Sequence, residues 1–238
     1  MKTIFHEKVE KIKKSMGEST MSEKSEAEVA EEKRELTEAE KRRAELFQKI
    51  KGELEGKGYE MKELTCSIIK ANTLGILYAA IVAAPFLIAY FCMDLPMPGE
   101  DTSWQPIVLF VLFMLSFVVH ELIHGITWSI GAGGFKENIE FGFIAAALTP
   151  YCTCKVPMKK GWYLIGSVMP CFLLGIVPCI VALVIGNFFV MVFGALGILG
   201  GGGDLLVCQM ILCHKSNGKK DQLYLDHPTK IGLALFEK

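Results

Sequence analysis

A histidine pair inside an apolar stretch constrains this chain more than any other feature. The stretch from Ile107 to Ile130 is long enough to cross a bilayer as a helix, and it contains His120, Glu121 and His124 in the pattern H-E-x-x-H. Positions i and i+4 share a helix face, so both imidazoles can bind one metal ion, with Glu121 beside them as general base. The pattern predicts a zinc hydrolase site. The alternative is a pair of buried, hydrogen-bonded histidines, which the cost of polar groups in a membrane helix disfavours.

The charges divide the chain into two unlike parts. The first 65 residues hold 15 of the 25 Lys and Arg and 16 of the 26 Asp and Glu, and the rest consists of apolar stretches with short polar connections. We therefore expect an all-α membrane protein with a charged cytosolic extension at 1–65, a transmembrane core at 66–213 and a cytosolic tail at 214–238. The net charge of −1 and the lack of a basic, aromatic-rich patch exclude nucleic acid as an expected partner.

Four apolar stretches are predicted to cross the bilayer as helices. They are Ile68–Met93, Ile107–Ile130, Trp162–Gly186 and Phe188–Cys213. The apolar segment from Phe141 to Leu148 is too short to cross as a helix, so we expect an extended or hairpin segment that lines the site. Lysines are frequent in the 131–160 loop and the tail and absent from the 94–106 loop. The positive-inside rule then predicts a multi-pass protein of the cell membrane with both termini in the cytosol.

The charged extension contains two capping-box patterns, Ser25-x-x-Glu28 and Thr37-x-x-Glu40, the second followed by a narrow apolar stripe. The stripe predicts a helix from about Thr37 to Leu54. A solvated helix is the simpler interpretation. The alternative is a helix that docks on the membrane or on a cytosolic partner.

A third ligand is suggested by the few ionisable groups inside the predicted helices. Away from the helix ends, the only carboxylates are Glu121 and Asp204 and the only histidines are His120 and His124. One zinc ion bound by His120, His124 and Asp204 accounts for all of them, with Glu121 off the metal as base. Both ligand-bearing helices run in the same direction, and the ligands lie roughly 20 Å and 24 Å along them. The alternative for Asp204 is a structural hydrogen bond to a neighbouring helix.

Other candidate ligands are weaker. Cys152 and Cys154 form a C-x-C that could reach the site, although structural thiols are the simpler interpretation. His214 lies roughly 15 Å beyond Asp204 along a straight helix, which places it too far away. The segment Asp226–Pro228 is interpreted as a turn in the tail.

A family resemblance supports the same site. The segment H-E-L-I-H-G in one stretch, and Asp204 after a run of glycines in a later one, resemble the site-2 protease-like intramembrane zinc metalloproteases. More closely, the chain resembles the small membrane proteins classed as putative zincin peptidases. That likeness covers roughly Cys66 to Lys238 and includes the segments 149–154, 202–204 and 226–228.

The resemblance implies a bundle of transmembrane helices around a buried zinc ion. It also implies an enzyme that cleaves peptide bonds of membrane-associated substrates. By the matching motifs, His120, His124 and Asp204 would be the ligands and Glu121 the base. We expect the substrate, a membrane protein or peptide, to bind as an extended strand, for which the 141–150 segment offers an edge. One alternative is a membrane metal carrier, which would not need Glu121. Another is an inactive scaffold that acts through its N-terminal helix.

Overall fold

Seven helices and six strands make up the part of the chain that the computed structural model describes, residues 36–99, 104–144, 149–216 and 218–238. The helices are α1 (Glu38–Gly56), α2 (Ile68–Cys92), α3 (Gln105–Ala132), α4 (Lys160–Cys171), α5 (Val177–Ile185), α6 (Phe188–Gly200) and α7 (Gly202–Cys213). The strands are β1 (Glu60–Cys66), β2 (Ile139–Ile144), β3 (Thr149–Cys154), β4 (Met158–Lys159), β5 (Gln222–Asp226) and β6 (Ile231–Glu237). Residues 43–238 form one compact unit.

The apolar helices agree with the predicted stretches to within two residues at each end. Helices α2 and α3, and the continuous run of α4 and α5 through a π-helical turn at Phe172–Ile176, are each long and apolar enough to cross a membrane. Helices α6 and α7 meet at a bend of 48° and together would make a fourth crossing. Three to four such helices are consistent with a multi-pass membrane protein.

The described residues are mostly helical, as predicted, but they also form two antiparallel sheets, of which only the hairpin was predicted. A four-stranded sheet has the order β1-β6-β5-β4, and β2 and β3 form a separate hairpin. The hairpin occurs where the sequence predicted an extended segment. The larger sheet was missed because its strands are short and pair across great distances in sequence, as β1 does with β6 from Glu60↔Glu237 to Cys66↔Ile231. Local patterns carry no information about such partners.

The four-stranded sheet packs against the helix ends that lie near the hairpin. One core cluster contains Tyr224, Leu233 and Leu235 of the sheet together with Trp128 of α3 and Tyr163 of α4. All five side chains are buried. The segment predicted as a polar tail therefore continues the protein core and braces the ends of the apolar helices.

Helix α1 begins with the second predicted capping box. The Thr37 N–H donates to Glu40 Oε2 at 2.8 Å, and the Glu40 N–H donates to Thr37 Oγ1 at 3.3 Å. Farther along the helix, Phe47 and Leu54 are buried in a cluster with residues of β5 and β6, so this helix is not solvated on all sides. The first predicted box, Ser25-x-x-Glu28, lies outside the described residues.

A glycine contact joins α2 to α7 just before Asp204. A Cβ atom on Gly202 would lie 2.5 Å from the backbone oxygen of Gly75, a distance that no side chain tolerates. The two backbones therefore cross in direct contact, as small residues allow in membrane helices. The crossing fixes the position at which α7 begins, and therefore the position of Asp204 in its first turn.

Candidate metal centre

Three side chains from two distant parts of the chain converge at one point. The His120 Nε2 atom lies 3.1 Å from Asp204 Oδ2 and 3.2 Å from His124 Nε2, and His124 Nε2 lies 3.3 Å from Asp204 Oδ1. Among the residues that the structure describes, this is the one group of three or more His, Cys, Asp and Glu side chains that could hold a metal ion.

The spacing of these donors suits zinc. Bonds of about 2.0–2.1 Å in a tetrahedral arrangement place neighbouring donor atoms about 3.3 Å apart. The two imidazole nitrogens lie 3.2 Å apart, and each lies within 3.3 Å of one oxygen of the Asp204 carboxylate, so the donors are close enough together to surround one ion. Two imidazole nitrogens and one carboxylate oxygen are also a donor set that catalytic zinc sites use, with one position left open. The residues present therefore fit a zinc ion.

Helix α4 fixes the orientation of His124. The His124 Nδ1 atom lies 2.9 Å from the backbone oxygen of Gly166. A carbonyl can only accept, so Nδ1 carries the proton and the Nε2 lone pair is directed at the other ligands, the arrangement typical of metal-binding histidines. The Trp128 ring stacks on the imidazole with the ring centroids 4.7 Å apart and an interplanar angle of 15°. The Trp128 Nε1–H donates to the backbone oxygen of Tyr163 at 3.2 Å.

The absence of a side chain at Gly166 is part of this support. A Cβ atom there would lie 2.0 Å from the Trp128 ring, which is itself buried against His124. Any larger residue must displace the indole and with it the imidazole. Gly166 therefore provides both the carbonyl and the room for the ring that holds His124.

The bend between α6 and α7 delivers the third ligand. Helix α7 begins at Gly202, and Asp204 lies in its first turn. The free N–H groups and the dipole of a helix N-terminus favour a carboxylate at this position. The glycine run thus has two roles: Gly202 allows the close crossing with α2, and the break at Gly201 starts the new helix that carries Asp204.

Glu121 lies next to the ligands but faces the hairpin. It is half-buried, and its carboxylate lies near the backbone N–H of Cys152 in β3. The pairing register explains why this N–H is available. The Lys155 N–H donates to the Asn138 oxygen at 2.8 Å, so the alternating pattern directs the N–H groups of Cys152 and Cys154 away from β2. The outer edge of β3 therefore borders Glu121.

The rejected ligands are engaged elsewhere. Neither Cys152 nor Cys154 belongs to the group that could hold a metal ion, and burial raises the pKa of Cys152 and raises that of Cys154 to about 11. The His214 Nε2 atom lies 3.3 Å from Glu237 Oε2. Asp226 accepts hydrogen bonds from Thr153 and from the backbone of Cys154, so it ties the sheet to the hairpin and is more than a turn residue.

Sequence reasoning missed the residues that support the site. Gly166 and Trp128 belong to apolar helices and carry no pattern that marks a role near a metal. Asp226 did have a signal, because the short apolar run Leu223–Leu225 between two polar residues is typical of a strand. A carboxylate at the end of such a strand is well placed to bind the next structural layer.

Comparison with known families agrees with this chemistry. Residues 112–218 match a sequence family described as "Putative zincin peptidase". The matched stretch contains His120, Glu121, His124, the hairpin and Asp204. Such a match indicates a zincin-like metallopeptidase and the use of zinc. No curated protein and no solved structure matches the chain significantly.

Proposed function

We propose that this protein is a zinc-dependent, membrane-embedded endopeptidase of the site-2 protease type, with His120, His124 and Asp204 as zinc ligands and Glu121 as catalytic base. The observation that carries the proposal is that one donor atom from each of His120, His124 and Asp204 lies within 4.8 Å of the other two, beside the Glu121 carboxylate, which is not part of the group. Metal ligands without a neighbouring base would suffice for storage or transport of a metal. An adjacent unliganded carboxylate serves hydrolysis.

The division of labour follows from the positions of the side chains. When bound, zinc supplies a Lewis acid that polarises the scissile carbonyl and acidifies a water molecule. Glu121 removes one proton from the attacking water and delivers it to the leaving amine nitrogen, so one peptide bond and one water become a carboxyl group and an amine. Its carboxylate lies near the Cys152 N–H of β3.

The substrate is proposed to be an extended segment of a membrane protein or peptide. A helix hides its amides in internal hydrogen bonds, whereas an extended segment can pair with a strand edge. The outer edge of β3 presents the N–H and C=O of Cys152 and the C=O of Pro150 beside Glu121. Pairing there would bring a scissile carbonyl to the side of the strand on which the ligands lie.

The placement in the cell is proposed from the charge pattern. Both termini and the 131–160 loop would face the cytosol, with 1–65 as a charged extension, 66–213 as the membrane-embedded protease core in the lipid bilayer and 214–238 as the tail. The exposed charged side of α1 would be available to a cytosolic partner. The test is labelling of intact cells with an impermeant thiol reagent. A cysteine introduced at Ser103 should react and native Cys152 should not, and the reverse pattern would overturn this orientation.

The enzymatic proposal is tested by Glu121→Gln, with Glu137→Gln as the matched control. Both changes convert a carboxylate to an amide of the same shape, and Glu137 is exposed beyond the end of α3. With purified protein and a reporter membrane peptide, Glu121→Gln should retain about one zinc per chain. It should lower the cleavage rate by about a hundredfold or more, the scale of a lost general base. The control should keep both zinc and rate.

Two outcomes would contradict the proposal. Equal cleavage by the Glu121→Gln and Glu137→Gln proteins would remove Glu121 as the base. Zinc that exchanges rapidly with the medium, in a protein that cleaves no membrane peptide, would instead favour a metal carrier.

A further inference from the structure

Asp226, the last residue of β5, is the meeting point of three elements. Its Oδ2 atom accepts hydrogen bonds from Thr153 Oγ1 at 2.8 Å and from the Cys154 N–H at 3.0 Å, and its Oδ1 atom accepts one from the Tyr163 hydroxyl. These partners belong to β3 and α4. One carboxylate from the C-terminal sheet thus links the hairpin to the helix that orients His124.

The Cys154 N–H has a particular meaning in this network. It points to the same side of β3 as the Cys152 N–H, because residues two apart in a strand direct their amides the same way. Asp226 therefore occupies one position of the outer edge of β3, and Glu121 lies at the next one. Because Asp226 binds the outer edge of β3, the position of that edge relative to Glu121 is fixed.

We propose that Asp226 is a positioning residue that holds the edge of β3 against Glu121. It is not a ligand, since the metal-binding group comprises His120, His124 and Asp204, and the proposal rests on the function proposed above. Three donors converge on Asp226, of which the backbone N–H cannot become an acceptor. A carboxylate accepts all three hydrogen bonds, whereas an amide would lose the negative charge and would have to reverse the hydrogen bond with the Tyr163 hydroxyl.

The test uses the reactivity of Cys152 as a measure of strand position. The thiol is half-buried beside Glu121, so it reacts slowly with N-ethylmaleimide while β3 is held. In purified full-length protein, Asp226→Asn should raise the rate of Cys152 labelling, followed at the peptide level by mass spectrometry, by about tenfold. That is the change expected from losing one hydrogen bond to a charged group.

The matched control is Asp221→Asn, which makes the same chemical change just before β5. Asp221 accepts a hydrogen bond from Tyr59 and does not contact the hairpin in the described residues. Its variant should label at the rate of the unaltered protein. Zinc content should remain at about one per chain in both variants, because neither residue belongs to the metal-binding group.

A second pair of variants separates position from charge. Thr153→Val keeps the Asp226 carboxylate and the side-chain volume but removes the hydroxyl, and Thr153→Ser restores it. Cys152 labelling should rise in Thr153→Val and return toward the original rate in Thr153→Ser. Since the charge near the thiol is unchanged in this pair, the difference reports movement of the strand.

Three results would overturn the proposal: equal labelling in the two Thr153 variants, equal labelling in Asp226→Asn and Asp221→Asn, or loss of zinc from Asp226→Asn without faster labelling. None of these measurements requires proteolysis. Failure of the peptidase proposal would therefore be seen in the Glu121→Gln experiment, whereas failure of this one would be seen in the labelling.

Discussion

His124 and Glu121 lie three residues apart on one helix, yet they are held in different ways. His124 is fixed by the helix bundle: its Nδ1–H donates to the backbone oxygen of Gly166 in α4, and its ring stacks on Trp128 of its own helix. Glu121 faces strand β3, and its carboxylate lies near the backbone N–H of Cys152. The metal ligand His124 is supported from inside the helix bundle, whereas Glu121 is bordered by the β2–β3 hairpin at the end of the bundle.

This difference separates the stability of the metal site from the alignment of the substrate. A change in the bundle should affect zinc first. A change in the hairpin or the sheet should leave zinc in place and affect the strand edge. Each variant below is expected to disturb one side and spare the other.

The largest effect is expected from removal of a ligand. His124→Ala and Asp204→Ala should each reduce zinc from about one per chain to near zero after dialysis. Two donors bind far more weakly than three, and the loss should exceed the 10–100-fold typical of outer-shell changes. Elemental analysis of the purified proteins measures this, with His227→Ala in the tail as control. Full zinc in Asp204→Ala would remove Asp204 from the ligand set.

A smaller effect is expected from Gly166→Ala. The added methyl group must displace Trp128 and tilt His124, so zinc affinity should fall by about 10–100-fold. Gly161→Ala on the same helix is the matched control, because a Cβ there meets nothing within 4 Å. Competition with a chelator of known affinity gives the value. Cys152 labelling should not change in either variant, and a strong rise in Gly166→Ala would show that the two supports are not separate.

The same contrast explains what the sequence could reveal. The spacing of His120 and His124 is a property of one helix, so the pair could be read directly, and Asp204 followed because few polar groups lie within the apolar stretches. In the structure these three side chains lie close enough together to hold one metal ion. The limits of the apolar helices were also predictable, because hydrocarbon imposes one requirement along the whole length of each helix.

The support from the sheet could not be predicted in this way. β1 and β6 are separated by more than 160 residues and pair residue by residue, and nothing in either segment identifies the other. Asp226 was interpreted as part of a turn because its partners, Thr153 and Tyr163, belong to elements that only the fold brings near it. Contacts between distant segments depend on tertiary packing, which local periodicity does not encode.

The smallest effect is expected at low pH, where protonation of Glu237 in the four-stranded sheet should lower the stability of the folded protein. Burial disfavours its charge, but hydrogen bonds from Lys62 and His214 outweigh this and hold the pKa of Glu237 below its ordinary value of 4.5. A lowered folded-state pKa stabilises the protein above the unfolded value, near pH 4.5, and the stabilisation is lost as the pH falls through the folded value.

At pH 7, Glu237→Gln should therefore unfold at a lower temperature than the unaltered protein, by about 2–4 °C for each kcal/mol lost. This difference should disappear once the pH has fallen below the lowered pKa of Glu237, where the glutamate is itself neutral. Zinc release in acid lowers the Tm of both proteins, so only the difference between them is compared. Glu63→Gln serves as the control, because Glu63 pairs with Lys230 at an exposed position, where an ion pair contributes little. A difference that persisted unchanged at low pH would show that Glu237 acts through packing and not through its charge.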